Sequence, residues 1–199
     1  MNTTATMIDW YNQSLEKYGE NDYRSLTWGD EQGTSAIRRY EDMNCIIPFA
    51  DKRILEVGCG WGSFFDFGFT CQKYTGIDIN ENFINIAKQR YSDHQFICID
   101  IDQYYSENQY DLVICSGVMG NQGGPGDHPE KLKNFITKIY HSSQANDILI
   151  NFPSAWSTIR SNNIEYFSPS AVFEQTLMLT RNVTLYHKHK FDFLLHIHR

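Results

Sequence analysis

From residue 53 onward, short apolar runs alternate with amphipathic stretches, and this alternation predicts the fold. Residues 53–57, 74–77, 95–99, 111–115 and 148–152 are brief and rich in Ile, Leu, Val and aromatics, as strands buried on both faces are. Helical patterns separate them, from about residue 63, over 81–91 and over 128–140. Strands alternating with helices imply βαβ units and a parallel sheet. The end of the chain differs. Ser168-Pro169 is a helix start, because Ser can cap and Pro suits the first turn, and this helix is expected to reach about residue 179. Residues 183–188 and 191–198 are strand-like with almost nothing between them. So short a connection makes an antiparallel hairpin, since a parallel pair needs a long crossover. The expected fold class is α/β: a doubly wound, Rossmann-like sheet of seven strands, mostly parallel, ending in an antiparallel β-hairpin.

Residues 1–50 follow a different pattern. Trp10, Tyr11, Leu15 and Tyr18 recur near helical spacing within 8–18, and 35–47 reads as a second helix ended by Pro48. Between them lies a loop with Gly19, Trp28, Gly29 and Gly33. No repeat, low-complexity tract or linker divides the chain, so 1–199 is read as a single domain with 1–50 as a helical cap or lid.

Composition narrows the function. The net charge is −7, and the longest basic cluster is Arg38-Arg39, a poor start for a nucleic-acid binder that must neutralise phosphates. A small-molecule substrate is favoured, with no nucleic-acid and no membrane partner. The polar residues 1–10 lack the apolar core of a secretory leader, and no run approaches the roughly 18 apolar residues of a membrane span. Cys45, Cys59, Cys71, Cys98 and Cys115 form no CxxC pair, and three of them beside strand-like runs read as small buried hydrophobes, so a reducing cytoplasm is expected.

Candidate chemistry gathers at the strand ends. Gly58, Gly60 and Gly62 make a strand-to-helix turn that lets backbone approach a ligand. The spacing is GxGxG, with Ser at 63, which tilts away from the dinucleotide fingerprint GxGxxG. Glu56 adds to the tilt, because a carboxylate at this strand end suits an ammonium group or the turn's backbone and repels a pyrophosphate. Asp78 ends the second strand, where a carboxylate can accept from ribose hydroxyls. Asp100 with Ile101 ends the third, offering an acceptor for an adenine amine and an apolar contact for its ring. Small residues at Ser116 and Gly117 end the fourth and leave room for a ligand.

The segments ILEVGCGWG (54–62), YTGIDIN (74–80), FICIDID (96–102) and YDLVICSGV (110–118) resemble, in order and spacing, the successive cofactor motifs of class I S-adenosylmethionine-dependent methyltransferases. The resemblance covers residues 53–199, because that family's sheet also closes in an antiparallel hairpin. It implies S-adenosyl-L-methionine as cofactor, with Glu56, Gly58, Cys59 and Gly60 holding the methionine end. Asp78 and Ile79 would hold the ribose, Asp100 and Ile101 the adenine, while Ser116 and Gly117 would line the methyl-donor face. A looser likeness, to a small bacterial-type subgroup, rests on Trp28-Gly29 and Arg39-Tyr40. It implies Arg39 pairing with the methionine carboxylate, a task for a planar guanidinium, and Trp28 as part of a lid; a surface Arg and a packed Trp are the plainer readings.

The acceptor side is less defined. The segment after the fourth strand, Ser116-Gly117-Val118-Met119-Gly120, lacks the Asn/Asp-Pro-Pro-aromatic motif of nucleic-acid amino-methyltransferases. This leaves methyl transfer to an O, N or S atom of a small molecule. Asp127 and His128, in the polar loop 119–128, are candidate bases, although Asp127 also suits a helix cap. Segments 151–154 and 165–167 are candidate walls of the acceptor pocket. His187, His189, His196 and His198 alternate on the hairpin without an acidic or Cys partner nearby in sequence, so no metal site is expected. Two alternatives stay open: an NAD-type oxidoreductase, and a non-catalytic protein that keeps the cofactor-binding fold.

Overall fold

The computed structural model describes residues 3–106, 109–120, 129–161 and 164–199. The elements run α1 (Thr3–Tyr18), a 3-10 turn (Tyr23–Leu26), α2 (Thr34–Ile46), β1 (Arg53–Val57), α3 (Ser63–Asp66), β2 (Lys73–Asp78), α4 (Glu81–Arg90), β3 (Gln95–Cys98), β4 (Leu112–Cys115), α5 (Pro129–Ser142), β5 (Asp147–Pro153), α6 (Pro169–Leu177), β6 (Val183–Tyr186) and β7 (Asp192–His198). One sheet holds all seven strands in the order β3-β2-β1-β4-β5-β7-β6. The strands from β3 to β5 are parallel, and β7 enters antiparallel between β5 and β6. This is the expected doubly wound sheet with its closing hairpin.

Strand alternation divides the core into two layers. Leu55, Val113, Ile148, Ile150 and Leu195 face one side and pack with Leu132, Ile136 and Ile139 of α5 and Val172 of α6. Ile54, Tyr74, Leu112, Ile114 and Leu149 face the other and meet Tyr40 and Met43 of α2, Phe64 of α3, and Ile84 and Ala87 of α4. A third, smaller cluster joins Tyr11 and Leu15 of α1 to Leu26, Trp61, Phe83 and Ile86. The N-terminal segment is thus docked on the turns at the carboxyl edge of the sheet.

Local signals account for the helix boundaries. Asn80 caps α4 by accepting from the Asn82 and Phe83 amides, and Ser168 caps α6 by accepting from Ala171 with Pro169 in the first turn. The helix after the glycine turn is shorter than its pattern suggests. It stops after Asp66 because Gly68 is left-handed (φ +77°) and the surrounding Phe residues pack into the core in a loop. The cysteines also differ from expectation: Cys59 and Cys115 are buried, but Cys98 is exposed, because β3 is an edge strand.

Replacing Ile114, fully buried on β4, by alanine is expected to cost about 2–5 kcal/mol. The measurement is a lower urea midpoint with an unchanged slope. A loss below about 1 kcal/mol would contradict the tight layer described on this face.

Candidate functional site

A cavity of about 370 Å³ opens at the carboxyl ends of β1 to β4. This is where open α/β sheets bind ligands. Gly58, Cys59 and Gly60 line it from the turn after β1, and Asp78 with Ile79 from the end of β2. Asp100 and Ile101 follow β3, and Ser116 and Gly117 follow β4. Ten residues named from sequence therefore converge on one cavity, the tenth being Trp28.

The turn after β1 is locked from below. The Gly58 and Cys59 amides donate to the Ile77 carbonyl at 2.8 and 3.1 Å. The Gly60 amide donates to Asp78 Oδ2 at 2.9 Å, and the Asn80 amide to Asp78 Oδ1 at 2.8 Å. Burial raises the Asp78 carboxyl above its ordinary range, and these amides oppose that shift. Gly58 is left-handed (φ +75°), and a Cβ there would lie 2.0 Å from Val118 Cγ2. Glycine is required on both counts.

The cavity is roofed by residues of the N-terminal segment. Thr4, Met7 and Tyr11 of α1 line it together with Leu26 and Trp28. Trp28 presses on Gly117, where an added Cβ would be 2.9 Å from the indole. Asn12 holds α1 in place, accepting from Asn80 Nδ2 and Asn82 Nδ2 at 3.0 Å each. Asn134 and Phe135 of α5 complete the wall near Asp100. Trp28 was named from the sequence as part of a lid, whereas for the α1 and α5 residues the signal was helical periodicity, which finds a buried face without saying what it covers. Ser116 is 2% exposed, and its Oγ has no hydrogen-bond partner among the described residues. An orphaned hydroxyl in a cavity wall is costly unless a ligand uses it.

Two candidate residues stand apart from this cavity. Glu56 does not line it. Alternation along β1 turns Glu56 toward the α2 layer, where it is fully buried and accepts from Tyr40 Oη at 2.6 Å and from Tyr74 Oη. Burial pushes its carboxyl up to about 7 against the pull of the two phenols. Its place is that of a brace between β1, β2 and α2. Arg39 is also absent from the wall. Its Nε donates to Asp192 Oδ2 at 2.9 Å, beside Arg38 on the same oxygen, and its guanidinium lies 5.0 Å from the centre of the Trp28 ring. Arg39 instead borders a smaller hollow of about 120 Å³ with Asp42, Lys188 and His189.

The segments read as acceptor walls do not line this cavity. Asn151 Oδ1 accepts from the Gly117 amide at 2.7 Å and so supports the cavity from behind. Phe152 and Phe167 are core residues, and Tyr166 Oη accepts from the Ser161 amide. Asp127 and His128 lie outside the described residues. The hairpin histidines separate: His187 bonds Ser154 Oγ at 2.7 Å, and His189 pairs with Asp42. His196 and His198 instead meet Asp147, an acidic partner that comes from β5 and was not near them in sequence.

Residues 54–139 match the model of a family described as a methyltransferase domain. The malonyl-[acyl-carrier protein] O-methyltransferase of Priestia megaterium is 35% identical over 110 residues, covering 51% of this chain and 39% of that protein. The fatty-acid O-methyltransferase of Mycolicibacterium smegmatis is 34% identical over 70 residues, covering 34% of this chain and 26% of that protein. The alignments thus span well under half the length of these curated relatives. Among solved structures, magnesium protoporphyrin IX methyltransferase from Synechocystis PCC 6803 with bound SAM superposes with a TM-score of 0.65 at 14% identity, over 100% of this chain and 98% of that one. That likeness establishes a shared fold.

Because the Glu56 pKa is raised in the folded chain, its burial costs nothing well below pH 4.5 and costs progressively more up to about pH 7. Stability relative to Glu56→Gln should therefore fall over that window, by on the order of a few kcal/mol, and level off above it. Urea unfolding at stepped pH measures the difference. A constant gap between the two proteins would mean that Glu56 stays charged when folded.

Proposed function

We propose that this chain, whose residues 54–139 match a methyltransferase-domain family and whose fold is shared with a solved methyltransferase, binds S-adenosyl-L-methionine in the cavity above β1 to β4 and transfers its methyl group to a small-molecule acceptor. The observation that carries this reading is the convergence of Asp78, Asp100 and the unpartnered Ser116 hydroxyl on one cavity beside the glycine turn. The donor set fits the group. Asp78 would hold the ribose hydroxyls, and Asp100 would accept from the adenine amine, with Ile79, Ile101 and Phe135 offering apolar contact for the ring. The glycine turn would meet the amino-acid end and Ser116 Oγ would line the methyl-donor face, while the acidic rim favours a cationic ligand.

When bound, the cofactor supplies a sulfonium-activated methyl group. The protein's task is then chiefly alignment and exclusion of water. Trp28, Met7 and Tyr11 roof the cavity, and the segment from α1 to α2 acts as a cap held by Asn12. Glu56 acts indirectly, by fixing Tyr40 in the cavity wall. Asp127 and His128 follow β4 in sequence and remain the candidates for a base at the acceptor. Because the two curated relatives are named for methylating malonyl-[acyl-carrier protein] and fatty acids, a carboxylate oxygen of an acyl compound is the first acceptor to test. No helix among the described residues is long and apolar enough to cross a membrane. Free cysteines suit a cytoplasmic setting.

Calorimetry is expected to show S-adenosylhomocysteine binding and no heat with NAD; the reverse result would sink the cofactor assignment. Binding without methyl transfer to any acyl or other small acceptor would favour a non-catalytic role. Asp78→Ala should weaken S-adenosylhomocysteine binding by about 1–3 kcal/mol through lost charge-assisted hydrogen bonds. Unchanged affinity in a folded variant would exclude Asp78 from the site.

A further inference from the structure

We propose that Asp147, His196 and His198 form a binding site for one divalent transition-metal ion at the foot of the sheet, separate from the methyl-transfer cavity. His196 and His198 are two residues apart on β7 and share a face, and Asp147 is the direct cross-strand partner of His198. His196 Nε2 lies 2.8 Å from Asp147 Oδ1, and His198 Nδ1 lies 2.9 Å from the same oxygen. The three ligand atoms all fall within 4.8 Å of one another. Zinc sits about 2.0–2.1 Å from its nitrogen and oxygen ligands, which places tetrahedral donors about 3.3 Å apart. Lengthening the two nitrogen–oxygen separations by about half an ångström brings them to that spacing.

The donor set decides the class of ion. Two imidazoles and one carboxylate suit zinc, cobalt or nickel, whereas calcium and magnesium require oxygen ligands. The burial gradient suits entry from solvent. The His196 side chain is 4% exposed, while Asp147 and His198 are 27% and 46% exposed, leaving the remaining coordination positions to water. His196 Nε2 is the ring nitrogen that faces Asp147, and ligation through it takes the tautomer with the proton on Nδ1, in place of the present hydrogen bond to the carboxylate. The two rings stand only 3.7 Å apart, both directed at one carboxylate oxygen. A shared cation satisfies all three groups at once.

The location assigns a structural role. Asp147 begins β5, at the opposite end of the strands from Ser116 and the cavity. An ion here ties β5 to β7, the joint between the parallel strands and the hairpin. It stabilises the folded chain by mass action.

The test is a titration of the chelator-stripped chain with cobalt(II), followed by zinc(II). One cobalt per chain should bind, with visible absorption bands of a nitrogen- and oxygen-ligated ion, and zinc should bleach them while raising the thermal midpoint. His198→Ala and Asp147→Asn change partly exposed side chains and should each abolish stoichiometric binding. His187→Ala, outside the cluster, should leave it intact. Absence of stoichiometric binding in the wild-type chain overturns the proposal. So does binding that survives both cluster substitutions, or binding that His187→Ala removes. The metal readout does not depend on S-adenosylhomocysteine binding, so this inference and the proposed function fail separately.

Discussion

The carboxylate of Asp78 holds the cavity together. Its two oxygens accept from the Gly60 and Asn80 amides, so one side chain sets both the glycine turn and the start of α4. Asn80 passes the constraint on, capping α4 with its own carbonyl and reaching Asn12 of α1 through its amide nitrogen. A polar chain therefore runs from the floor of the cavity to its roof. Charge-assisted bonds to backbone amides are among the stronger ones, and they are stronger still where burial lowers the local dielectric. Glycine conformation, helix cap and cap segment are set jointly.

A second constraint comes from below. Glu56 shares the side of β1 that faces α2, and Tyr40 and Tyr74 both donate to it. A buried carboxylate with two phenol donors locks α2 against the sheet and orients Tyr40 in the cavity wall. The aromatic packing of Tyr40 with Trp28 and Phe64 surrounds this polar centre. A single acidic residue thus specifies a layer that apolar contacts alone would hold less uniquely.

The hairpin strand β7 connects distant parts of the molecule. At its start, Asp192 anchors Arg38 and Arg39 of α2. At its end, His196 and His198 converge on Asp147. Because β7 lies between β5 and β6, each end of the strand reaches a partner that is remote in sequence.

The succession of strands and helices, the mostly parallel sheet, the closing hairpin and the strand-end carboxylates were all legible in the sequence. Hydrophobic period and turn chemistry are local, and they report the elements and the ends that face a ligand. Asp78, Asp100, Ser116 and the glycine turn could be named because each follows a strand. Tertiary structure alone decided what depends on which face a side chain takes and what packs opposite it. It turned Glu56 from the cavity to two tyrosines, gave Arg39 to Asp192, chose Thr4, Met7 and Tyr11 as the α1 residues that line the cavity, and supplied Asp147 to two histidines 49 and 51 residues away. Such pairings rest on strand order and helix docking, which join residues that no local pattern relates.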